Sequence, residues 1–120
     1  MPEIHPAEQV VQRYIECSGT LDAQDLAACF SPDASLNGFL GPQAVAGSAN
    51  LYIEDVRRMA GAGADMSAYR AAVTAFDATG DIAAATVSME GFAGTRFVDH
   101  LHLVQRDGEW RIVSKTFTTL

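Results

Sequence analysis

The 120-residue sequence is poor in bases and has no long apolar run. Residues 1 to 55 hold eight acids against the single base Arg13, residues 56 to 120 balance seven acids with seven bases, and the net charge is -7. Phosphate backbones are bound by clustered Lys and Arg, so no nucleic-acid partner is expected. No apolar stretch reaches the ~18 to 20 residues that cross a bilayer. The opening MPEIHPAEQ has neither the basic start nor the apolar segment of a secretory signal. No membrane partner is expected, and the expected location is cytoplasmic. Cysteine is scarce: Cys17 and Cys29 lie twelve apart with no CxxC and no histidine at metal-ligand spacing. Buried free thiols are the expected outcome. Internal repeats and low-complexity tracts are absent, and the glycine-rich GAGAD lacks the GK[ST] ending of a phosphate loop.

What the chain does have is 48% hydrophobic residues, enough for one core and one domain over residues 1–120. In HPAEQVVQRYIECSG, Val10, Val11, Tyr14 and Ile15 repeat at helical spacing, with Pro6 suited to a first turn and Gly19 to a stop. TLDAQDLAACF predicts a short second helix, ended by the SPD that follows. ASLNGFLG predicts a brief strand, GPQAVAGSA a loop, and NLYIEDVRRMA a third helix with Tyr52, Val56 and Met59 on its apolar stripe. From about residue 68 the period changes to two. AYRAAVTAFD, IAAATVSMEGF, TRFVDHLHLVQ and WRIVSKTFTT predict four strands, and the short connections ATGD, FAGT and RDGE make them an antiparallel meander. Asp107-Gly108 is the strongest turn signal, because a type I′ turn needs positive φ at both central positions.

A two-residue turn fixes register, and an unbroken ladder from Asp107-Gly108 sets Leu103 opposite Ile112, Leu101 opposite Ser114 and Asp99 opposite Thr116. Trp110 then shares their face, while Val98, His100, His102 and Lys115 lie on the other. The same logic through FAGT sets Ser88 opposite Asp99 and Glu90 opposite Phe97. A buried carboxylate needs partners, and Ser88, Thr116 and Ser114 could supply hydroxyls. A face that is apolar at one end and polar around Asp99 suits a small-molecule pocket. His100 and His102 have a spacing that could hold a metal, but their expected neighbours Val87, Val113 and Lys115 offer no third ligand. No metal is expected.

Three helices followed by a curved meander ending in DGEWRIVSKTF resemble the nuclear transport factor 2-like superfamily, the cone-shaped α+β fold of ketosteroid isomerase, scytalone dehydratase and the polyketide cyclases. YIECSGTLDAQDLAACFSPDASLNG and ATGDIAAATVSMEGFAGTRFVDHLHLVQRDGEWRIVSKTF, in that order, look most like its branch labelled lumazine-binding. The resemblance implies a curved antiparallel sheet covered on its concave face by three N-terminal helices, with Asp99 pointing into the cone. It also implies a homodimer through the convex sheet face.

In ketosteroid isomerase-like enzymes a helix-one tyrosine and a protonated late-strand acid bind a developing oxyanion. Tyr14 and Asp99 occupy similar elements here. The carboxylate base of that family has no counterpart, since the first strand carries Ser35 and Asn37. The epoxide hydrolase pattern, an Arg two residues from an Asp, meets Phe97 instead of arginine. Glu90 could be an acid or base at the cone mouth or a solvated side chain. Trp110 and Tyr52 could be pocket walls or packing groups, and Asn37 a pocket amide or a turn residue.

The expected function is therefore binding of a small organic ligand, largely apolar with one polar group, and no cofactor is implied. A cofactor-free isomerase, dehydratase or cyclase acting on a carbonyl compound is the alternative. A third reading, an interaction module whose cone is filled by side chains, would be favoured by a cavity below about 300 Å³.

Overall fold

A computed structural model describes residues 3–120; Met1 and Pro2 of the opening segment lie outside the described residues. Helix α1 (Pro6–Thr20) begins with proline at a position whose N–H would be unpaired anyway, and the His5 Nδ1 accepts from the Ala7 N–H. Ala7, Val11, Tyr14 and Ser18 recur at helical spacing and are all fully buried. The helix ends at Leu21, whose φ of 56° is left-handed, rather than at Gly19. Gly19 serves a different purpose: a Cβ there would lie 2.5 Å from the Tyr69 ring. Helix α2 (Ala23–Ala28) is capped by Asp22, which accepts from the Asp25 N–H.

Strand β1 (Phe30–Leu40) is longer than the sequence pattern suggests, and β2 (Gln43–Ser48) occupies the segment expected to be a loop. β2 is an edge strand of small residues, almost wholly exposed, so it carries no alternation to read. Helix α3 (Asn50–Gly61) follows and buries Tyr52, Ile53 and Val56. The expected meander then runs through β3 (Arg70–Thr79), β4 (Ile82–Phe92), β5 (Thr95–Arg106) and β6 (Glu109–Thr119). These strands form one curved, unclosed sheet in the order β2-β1-β6-β5-β4-β3, antiparallel except where β1 runs parallel to β6. The architecture is the expected α+β cone, with six strands in place of five.

Both predicted hairpin turns beside β5 form. Asp107 and Gly108 have positive φ and pair Arg106 with Glu109, and Ala93 and Gly94 likewise pair Phe92 with Thr95. The ladders beyond them do not continue unbroken. On β6 an extra residue enters after Ile112, so His102 pairs with Ser114, Leu101 with Lys115 and Asp99 with Phe117. On β4 a bulge at Glu90-Gly91 sets Met89 opposite Phe97 and Val87 opposite Asp99. One inserted residue exchanges the two faces of everything beyond it. Lys115 and Phe117 therefore turn inward, and Ser88, Ser114 and Thr116 turn outward, the reverse of the unbroken register.

Candidate functional site

Asp99, at mid-strand in β5, points into the cone as expected and is 1% exposed. Its company differs from the hydroxyl set that the unbroken register implies. Tyr14, from the buried stripe of α1, donates its hydroxyl proton to Asp99 Oδ2 at 2.5 Å. Lys115 of β6 donates from Nζ to the same Tyr14 oxygen at 2.7 Å, and its ammonium lies 3.9 Å from Asp99 Oδ2. Lys115 is 4% exposed. From α3, the face of Tyr52 covers the ammonium, 3.1 Å from Nζ to the ring centroid, and the Tyr52 hydroxyl donates to Ser18 Oγ at 2.7 Å. A cation over an aromatic face is held by the ring quadrupole, more strongly when water is excluded. Among the described residues no fully buried side-chain nitrogen or oxygen is left without a hydrogen-bond partner.

Burial governs the electrostatics. It pushes the Tyr14 phenol well above the ordinary tyrosine value, and the Asp99 charge adds to that. The Tyr52 phenol is raised for the same leading reason. Burial lowers the Lys115 ammonium to about 8, against the opposing pull of Asp99 and Asp55. Cys17 and Cys29 are buried free thiols, as expected, and burial pushes Cys29 up to about 12.

Asp99, Lys115 and Tyr52 of this buried cluster line a cavity of about 80 Å³. Its walls are apolar, with Leu36, Met89, Phe92, Phe97 and Phe117 inside and Leu40, Val45 and Leu51 at the rim, where Asp55 also stands. Leu40 and Leu51 are 45% and 49% exposed. This volume lies below the ~300 Å³ at which ordinary ligand pockets begin. Aromatic packing is the cause: Tyr14, Tyr52, Phe92, Phe97 and Phe117 form a chain of ring contacts with centroids 5.7 to 6.2 Å apart.

The structure thus brings together Asp99, Tyr14 and Tyr52 of the residues expected from sequence. Ser88 pairs with Ala72 and Val98 on the outer face. Ser114 and Thr116 share that face with His102 and His100. Glu90 is exposed and pairs with Arg96 at 3.4 Å. Asn37 is an exposed strand residue between Ala46 and Thr116, not in a turn and not among the walls of the Asp99 cavity. Trp110 packs edge-on to His5 at 5.3 Å and is not among the walls of the Asp99 cavity. Lys115 is the group missed. A signal for it existed, since it is the only lysine in the chain, every other cationic side chain being arginine.

A family model described as "Putative lumazine-binding" matches residues 2–118. No curated protein matches the chain. Among solved structures, the chain is similar to an NTF2-like protein of unknown function from Silicibacter pomeroyi, at 28% identity and a TM-score of 0.82, over 96% of this chain and 93% of that one. An NTF2-like protein of unknown function from Shewanella baltica gives 22% identity and 0.79, over 97% and 92%. A ketosteroid isomerase-like protein from Erwinia carotovora atroseptica gives 15% and 0.70, over 96% and 94%.

Proposed function

Because this chain belongs to the lumazine-binding family of the nuclear transport factor 2-like superfamily, we propose that its cone binds a small, flat, largely apolar molecule bearing one carbonyl or anionic oxygen. The observation that carries this reading is a buried Tyr14–Asp99–Lys115 cluster of which Asp99 and Lys115 line an apolar cavity. A cation, a carboxylate and a phenol gathered in a dry site cost desolvation, and a core needing only stability would place apolar groups there. The oxygen of the ligand meets Lys115 and its apolar body lies against Met89, Phe92, Phe97 and Phe117. A ligand the size of a bicyclic heteroaromatic enters by outward rotation of the exposed Leu40 and Leu51 at the rim.

The isomerase alternative has less support. The inward, buried positions of β1 from Ala34 onward are Ala34, Leu36 and Gly38, and none can abstract a proton. Asp55, the other carboxylate lining the cavity, is exposed and paired with Arg58 at 2.5 Å. The small cavity volume favours a second reading, an interaction module whose cone is filled by its own side chains. A homodimer through the outer sheet face is part of the proposal, supported by Phe39, 50% exposed in a groove with Val98 and His100. Light scattering reads that mass directly, and a monomer would remove the dimer from the proposal.

The test of binding is a thermal-shift screen of wild type and Asp99→Asn against lumazine and small aromatic and carbonyl compounds. A compound that raises the melting temperature of wild type but not of Asp99→Asn supports binding at the cluster. If no compound stabilises either protein, the side-chain-filled cone replaces the pocket.

A further inference from the structure

The amine of Lys115 is placed for more than a charge contact. It is the chain's only side-chain amine, it borders the cavity, and it heads an unbroken hydrogen-bonded line to a carboxylate: Lys115 Nζ to Tyr14 Oη at 2.7 Å, Tyr14 Oη to Asp99 Oδ2 at 2.5 Å. A proton leaving the ammonium can pass to the tyrosine oxygen while that hydroxyl passes its own proton to the carboxylate. The nitrogen is then left with a free electron pair beside an apolar space.

We propose that Lys115 captures small aldehydes or ketones in this cavity as a reversible imine, with Tyr14 and Asp99 relaying the proton. The nitrogen electron pair attacks the carbonyl carbon, a C–N bond forms, and the C=O electrons move to oxygen. The nitrogen loses a proton and the oxygen gains one, giving a carbinolamine. The relay then returns a proton to the carbinolamine oxygen, the C–O bond breaks, water leaves, and the nitrogen pair completes the C=N bond. No oxidant or reductant takes part. A cavity of about 80 Å³ suits a compound of only a few carbons with the rim closed.

The groups facing the amine agree with this role. Tyr14 comes from α1, Tyr52 and the rim carboxylate Asp55 from α3, and Asp99 from β5. Burial holds the amine at about 8 although two carboxylates oppose that shift. A neutral amine is the nucleophile in imine formation, and lysines so used are desolvated in this way. At pH 7.5 the neutral fraction is then roughly two hundredfold larger than for a lysine at its ordinary value.

The inference rests on the cavity of the proposed function, but its test separates the two. The protein is incubated with propanal and cyanoborohydride at pH 7.5, folded and in urea, and alkylation of Lys115 is followed by peptide mass spectrometry with the chain's α-amino group as internal reference. The expected result is Lys115 alkylation at least tenfold faster in the folded protein than in urea, and slowed about tenfold by Tyr14→Phe. Lys115 that reacts more slowly folded than unfolded, as a merely buried side chain does, overturns the inference. So does a Tyr14→Phe protein that melts as wild type does and is alkylated at the wild-type rate. Should a carbonyl compound raise the melting temperature while Lys115 stays unmodified, capture fails and binding stands. Alkylation of Lys115 with no reversible ligand found leaves capture standing and removes the binding reading.

Discussion

Replacing Lys115 with methionine keeps most of the side-chain volume and removes the one cation buried against Asp99, which makes it a direct probe of the cluster's electrostatics. The folded protein holds the Lys115 ammonium at about 8, against the ordinary lysine value of 10.5. The folded state therefore releases this proton more readily than the unfolded chain. Between those two values the unfolded state binds more protons, so this group's contribution to stability rises with pH, by about 3 kcal/mol across the whole window. Below pH 8 the full cost of holding the charge in the cone is present. Between pH 7.5 and 9.0 the recovered part is about 1 kcal/mol. Burial raises Cys17 and Cys29, and those thiols act in the opposite direction, losing stability as pH climbs through the ordinary cysteine value of 9.0. They titrate in both proteins and cancel in the comparison. Urea unfolding of wild type and Lys115→Met at pH 7.5 and 9.0 should show wild type gaining about 1 kcal/mol on the variant at the higher pH. A difference that stays constant, or moves the other way, would mean that Lys115 is not held below its ordinary value, and the electrostatic account of the cluster would be wrong.

The bulge on β4 should depend on Gly91, which has a φ of 69° and where a Cβ would lie 2.3 Å from the Ala68 carbonyl oxygen. Gly91→Ala is expected to lose about 2 kcal/mol or more by denaturant titration, whereas Gly94→Ala, with open space around its own positive-φ position, should lose less. Tyr52→Phe removes the hydroxyl bonded to Ser18 but keeps the ring over Lys115, and should cost about 1 kcal/mol. Tyr52→Leu also removes the aromatic face, so its extra loss measured at pH 7 should shrink at pH 9, where the amine is largely neutral.

Most of the fold was legible because it depends on periodicity and turn chemistry. The buried stripe of α1, the tyrosine of α3 and the turns at Ala93-Gly94 and Asp107-Gly108 all follow from spacing or from φ preference. β2 was not legible, because an exposed edge strand of small residues has neither alternation nor bulk. Half of the site was legible too: Asp99 was marked by a charge on an apolar face and Tyr14 by its place in α1. The other half was lost to parity. Two bulges, one on each neighbour of β5, carried the serines and Thr116 outward and Lys115 inward. Gly91 advertised the first, since glycine within a strand often marks a bulge. The second, at Val113, has no local signature. The nonlocal clue was a lysine standing alone in a chain that otherwise uses arginine.

The cluster also has an order in time. Tyr14 lies 85 residues from Asp99 and 101 from Lys115, and β1 reaches its parallel partner only when β6 arrives. A growing polypeptide can form α1 and the hairpin of β1 with β2 early, from near neighbours. The floor of the cone must wait for the last strand. Contacts of such separation are formed slowly, after the entropy of closing a long loop has been overcome. Until then Asp99 stays hydrated, Lys115 remains an ordinary solvent-facing amine, and the edge of β1 that will receive β6 lies open to strangers. The chemistry assigned to this cavity is thus acquired in the final step of folding, and a chain halted before β6 has the helices and most of the sheet without any of the reactivity.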